Sequence, residues 1–105
     1  MGDAALESAD PNLALISLRI EIEKRLRALA EARGMSPKNR SSLHRIIEQL
    51  RFSGVLHSSE ASGLNDLVSA GNQAAHGAKV ASGIAMWAGR YGPDILRVLD
   101  LKLKT

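Results

Sequence analysis

A chain of 105 residues, 45% of them apolar and none of them cysteine, has room for one hydrophobic core and excludes disulfides, thiolate metal ligands and a cysteine nucleophile. Its 14 basic and 11 acidic residues leave a net charge of +3, distributed as −3 over residues 1–18, +5 over 19–51 and +1 over 52–105. No apolar run approaches the roughly 20 residues of a membrane span, and Asp3, Glu7 and Asp10 stand where a secretory signal carries lysine or arginine, so a soluble, cytoplasmic protein without membrane contact is expected.

Phe, Trp and Tyr occur once each, so the core has to be assembled from Leu, Ile, Val and Ala, a palette that favours packed helices. After a tail over residues 1–10, Asp10 and Pro11 form an N-cap followed by the one helical position that prefers proline. The spacing predicts a first helix over 11–33, within a single domain over 11–103. Leu15, Leu18, Ile22, Leu26 and Leu29 recur every three or four residues and form its core stripe. Leu13, Ile16 and Ile20 make a second apolar stripe on nearly the opposite side, which a further helix of the chain or a second subunit has to cover.

Gly34 to Ser41 read as a loop. Ser41 or Ser42 then caps a short helix to about Arg51, with Leu43, Ile46, Ile47 and Leu50 on one face and Gly54 ending it. Ser58 or Ser59 opens a third helix running toward His76 and Gly77, whose later half is made of small residues: Ala70, Gly71, Ala74 and Ala75 permit close approach of another backbone. Ser82 caps a fourth helical segment, in which Gly92 and Pro93 predict a kink or break. The fold class expected is therefore all-α, a bundle of four to five helices with a long first one.

The basic stretch, which includes Arg19, Arg25, Arg45 and Arg51, is partly offset by Glu21, Glu23, Glu31 and Glu48. It reads either as a solvated helix face or as a footprint for nucleic acid, with Arg19, Arg25 and Arg45 the contacting candidates. His44 lies four residues from Glu48, a surface pair rather than a zinc site, and no serine sits in a nucleophile turn. No metal and no cofactor is expected. Trp87 and Tyr91, one helical turn apart, read as a plug in the core or an interface rather than a base-stacking platform.

Gly71-Asn-Gln-Ala-Ala-His-Gly77 is the most distinctive segment. Its Asn72 and His76 are four apart, so a helix places an amide and an imidazole on one face. Together with Leu13-Ala-Leu-Ile-Ser-Leu-Arg-Ile-Glu-Ile-Glu-Lys-Arg-Leu-Arg27 and Gly54-Val-Leu56, this segment resembles the HEPN superfamily of small helical domains, in particular an uncharacterised bacterial branch, over roughly residues 11–101. Many HEPN proteins are metal-independent ribonucleases that dimerise around an arginine, a short spacer and a histidine. The resemblance implies His76 and Asn72 as catalytic candidates, but the motif arginine is replaced by Gly71, and the electrostatic stabilisation it would supply has to come from Arg19, Arg25 or a partner subunit. In the alternative, structural reading, His76 donates to a helix-1 acceptor such as Glu21 or Glu23 while Asn72 ties helix 3 to a neighbour.

Two functions follow as expectations. One is a non-catalytic HEPN-like interaction or dimerisation module, part of or partner to a larger bacterial protein, that forms a homodimer or docks on another domain and contacts nucleotide or RNA. The other is a ribonuclease that uses His76 in a degenerate motif.

Overall fold

Leucine and isoleucine at helical spacing bury one stripe per helix, and among the described residues four helices result. The computed structural model describes residues 11–35, 42–77 and 82–104: α1 (Pro11–Ala32), α2 (Leu43–Phe52), α3 (Ser58–Ala75) and α4 (Ser82–Leu103). The fold is an all-α bundle. Asp10, Ser41 and the tail over 1–10 lie outside the described residues.

At 22 residues, α1 is about 33 Å long and serves as the spine. Its predicted stripe is the centre of the core: Ile22, Leu26 and Leu29 are fully buried, and Leu15 and Leu18 nearly so. Both α3 and α4 pack along α1, while α2 closes its far end against α1 and α3. Of the second stripe, Ile16 packs against the core, whereas Leu13 and Ile20 stay largely exposed. No aromatic side chain enters the core: Phe52, Trp87 and Tyr91 are all exposed, which leaves Trp87 and Tyr91 as surface groups rather than a core plug.

Local signals set the helix ends. Ser42 Oγ accepts from Arg45 N–H (3.2 Å) at the start of α2. At the start of α3 the cap is His57, one residue earlier than the serines suggest, because Glu60 Oε1 reaches back to accept from the His57 N–H (2.8 Å). α1 ends where Met35 N–H donates to Ala30 O and Gly34 N–H to Glu31 O, the paired bonds of a Schellman cap.

Of the kink or break expected near Gly92, the break does not occur: α4 continues through Pro93. A mid-helix proline costs about 3 kcal/mol; here apolar burial on both sides of it, at Ala88 before and at Leu96 and Leu99 after, offsets that cost. Gly92 assists by letting α4 approach α1: a Cβ there would lie 3.2 Å from Leu18 Cδ1. Polar ties complete the spine. Arg25 Nε donates to Asp100 Oδ1 (2.9 Å) across α1 and α4, and Lys102 Nζ donates to Val55 O (3.2 Å). Among the described residues no helix is long and apolar enough to cross a membrane.

Candidate functional site

The Asn72–His76 segment is the last turn of α3. His76 is its C-cap (φ −88°, ψ 10°), with its N–H donating to Asn72 O (3.1 Å). Gly77 follows at φ +81°, a left-handed conformation open to glycine and costly for other residues. Asn72 is half-buried and His76 exposed, one helical turn apart.

Both carboxylates expected to receive His76 have partners within α1. Glu21 accepts from Arg25 Nη1 (2.9 Å) and Lys24 Nζ (3.2 Å), and Glu23 accepts from Arg27 Nε (3.0 Å) and pairs with Arg19 Nη1 (3.6 Å). The Arg25 hydrogen bond, then that of Lys24, holds the Glu21 carboxyl below the usual glutamate range. A histidine–asparagine tie between α3 and a neighbour does exist, but elsewhere: His44 Nδ1 and Asn65 Oδ1 meet at 2.7 Å between α2 and α3.

Gly71 supplies the close approach that its small-residue neighbourhood predicts, and the backbone that approaches is α1 of the same chain. A Cβ on Gly71 would fall 2.7 Å from Arg19 Cβ, 3.0 Å from its Cδ and 3.2 Å from its Cγ. Ala70, Gly71 and Ala74 of the small-residue stretch are thus buried within the chain, and Ala75 is exposed. The Arg19 stem lies across Gly71, and its guanidinium pairs with Glu23 within α1 (3.6 Å). Arg19 Nε is buried without a hydrogen-bond partner.

The other predicted contact residues are placed apart from this turn. Arg25 is held by Glu21 and Asp100 on the α4 side of α1, and Arg45 is exposed on α2. Among the described residues no group of three or more His, Asp or Glu is gathered to hold a metal ion.

A second candidate surface lies between α3 and α4, which lean on α1 rather than on each other. Their facing sides line an apolar groove of about 490 Å³, with Leu64 and Leu67 on one wall and Trp87, Tyr91, Ile95 and Val98 on the other. It continues past Gly63 and Leu67 into a further recess of about 640 Å³ beside Ile84 and Gln73. The Trp87 and Tyr91 rings sit 5.5 Å apart at 44°, each more than 40% exposed, as are Ile84 and Val98. Among the described residues, the charged ones lining the two recesses are Glu60, Asp94 and Asp66, all acidic in a chain of net charge +3. Sequence reasoning finds Trp87 and Tyr91 but misses the groove; the signal is the uninterrupted spacing of Ile84, Trp87, Tyr91, Ile95 and Val98, a full apolar stripe on the last helix.

Residues 4–89 match the family described as Domain of unknown function (DUF4145). No curated protein and no solved structure matches the chain.

Proposed function

The chain belongs to the DUF4145 family, and from that premise we propose that it is a HEPN-like, non-catalytic helical interaction module whose docking face is the α3–α4 groove. The observation that carries this reading is the unburied apolar stripe of Ile84, Trp87, Tyr91 and Val98. Contiguous exposed apolar surface of this kind marks association sites, and half-exposed Trp and Tyr are the side chains most often found to dominate binding energy. Acidic lining argues against nucleic acid there, since phosphates would be repelled by Asp66 and Asp94.

The test is light scattering across micromolar concentrations combined with binding of the apolar dye ANS to the native protein, each repeated with Ile84→Glu. A dimer dissolved by the substitution, or a monomer that takes up dye until Ile84→Glu abolishes uptake, supports the reading. A monomer whose folded state takes up no dye overturns it.

One observation favours a second reading, the ribonuclease. The stem of Arg19 lies on Gly71, so in this reading a guanidinium from α1 would have to replace the missing motif arginine, with His76 as the general acid or base. Its engagement by Glu23 (3.6 Å) and the exposure of His76 make this the weaker reading. An RNA digest in the presence of a chelator decides it: cleavage lost in both His76→Ala and Arg19→Ala supports it, and equal background cleavage by wild type and variants removes it.

A further inference from the structure

The occupant of the α3–α4 groove is constrained by three features of the groove itself: length, shape and charge. The stretch of α3 that lines it, from Ser59 to Gln73, spans about 21 Å at 1.5 Å per residue. Both walls are helices that rest on α1, so a rod laid between them would contact Leu64 and Leu67 on one side and Trp87, Tyr91, Ile95 and Val98 on the other. It would complete a bundle with α1 across from it. The length of the groove matches the apolar stripe of a helix of about four turns, whose anchors recur at i, i+3 or i+4, and i+7.

Charge narrows the choice further. With Glu60, Asp66 and Asp94 as the charged lining residues among those described, the groove meets an apolar stripe flanked by lysine or arginine favourably and one flanked by acids unfavourably. Glu60 is already held by Lys102 (3.4 Å). The Asp94 pair with Arg97 (3.2 Å) is solvent-exposed on both partners and so competes weakly. Asp66 and Asp94 are therefore the discriminating charges. Groove-to-groove pairing with a second copy of this chain would bring the same acidic lining to both sides.

Resting on the reading of this face as a docking surface, we propose that the α3–α4 groove receives an amphipathic α-helix of about four turns from a partner protein, its apolar stripe flanked by basic residues. Recognition is by apolar anchoring on Trp87 and Tyr91, with selectivity from Asp66 and Asp94.

Trp87 is the only tryptophan, so its emission reports occupancy of the groove. The probes are two 16-residue helical peptides with the same leucine stripe, one flanked by lysines and one by glutamates, titrated into the full chain. The lysine peptide is expected to shift Trp87 emission to the blue with saturable 1:1 binding, weakening as salt is raised. The glutamate peptide is expected to bind about tenfold more weakly or worse. The double substitution Asp66→Lys, Asp94→Lys, at two exposed positions, should reverse the preference, and circular dichroism establishes that it leaves the fold intact. Equal binding of both peptides, or a preference that the charge reversal leaves unchanged, overturns the inference. A blue shift that grows with protein concentration alone assigns the groove to a second copy, overturning the inference and leaving the docking face. No shift under any condition, with no dye uptake, overturns both.

Discussion

The two long flanks of α3 are made by one helix and end in opposite states. Toward α1, Ala70, Gly71 and Ala74 bring the two backbones so close that the Arg19 stem fills the space a side chain at 71 would need. Toward α4, Leu64 and Leu67 look across an open groove at half-exposed Trp87 and Tyr91. Small residues close one seam, and large ones leave the other unfinished. Large apolar groups exposed on one flank of an otherwise well-packed bundle lower solubility and stability unless something covers them, whereas a glycine seam is complete as it stands. The contrast separates residues that hold this chain together from residues available to another.

The largest effect is expected where the spine is fully buried. Leu26→Ala should lose about 2–5 kcal/mol, enough to lower a urea midpoint severely, because Leu26 has no exposed surface and sits at the centre of the core stripe, where the void it leaves is enclosed on every side. Next comes the closed seam. Gly71→Ala ought to stabilise an isolated helix by about 1 kcal/mol, yet here it should destabilise the protein by about 1–3 kcal/mol through overpacking. The nearest atom, at 2.7 Å, is Arg19 Cβ, fixed to the backbone and unable to move aside as a chain end would. Arg19→Ala keeps that Cβ and should not rescue Gly71→Ala, a double-mutant comparison readable from thermal midpoints. If Gly71→Ala instead raises the midpoint, the seam is looser than its geometry implies and α3 no longer differs between its flanks.

Much of the closed side is legible in the order of residues alone. The core stripe of α1, the Ser42 cap and the four helical segments follow from spacing and capping residues, because each is a property of neighbours within one or two turns. What is not legible depends on which helix meets which. Gly71 announces a close approach but not that α1 makes it, and the tie between His44 and Asn65 is not legible at all, since spacing pairs His44 with Glu48 on its own helix. Pro93 reads as a break because its local cost is real; the burial of Leu96 and Leu99 against the rest of the bundle overrides it, and that burial is tertiary. The spacing of Trp87 and Tyr91 pairs them with each other correctly and with a core incorrectly, since it carries no record of which side of α4 lacks a helix opposite.

On the open flank the same kind of truncation should cost less. Trp87→Ala removes a side chain that is 45% exposed, so it should lower stability by about 1 kcal/mol, against the ~3–5 kcal/mol typical of a core tryptophan. A urea titration followed by circular dichroism measures it, because the variant has no tryptophan to report by fluorescence. A loss of core size would mean that Trp87 supports the bundle and that the groove is packing rather than a docking face.

The smallest effect sharpens the closed side by pH. Arg25 Nη1 and Lys24 Nζ hydrogen-bond the Glu21 carboxylate, and they hold its pKa below the ordinary value of 4.5. A carboxyl whose folded pKa is depressed contributes stability that is fully present above the unfolded value and is lost as pH falls through the folded one. Glu21→Gln should therefore cost at most about 1 kcal/mol at neutral pH, the scale of a partly exposed ion pair, and the gap between wild type and variant should close as pH is lowered past 4.5 into the acid range. Arg25 keeps Asp100 as a partner in that variant (2.9 Å), so the α1–α4 tie survives and only the Glu21 contribution is removed. Stability curves that coincide from neutral pH downward would show that the Arg25–Glu21 contact adds nothing to the fold.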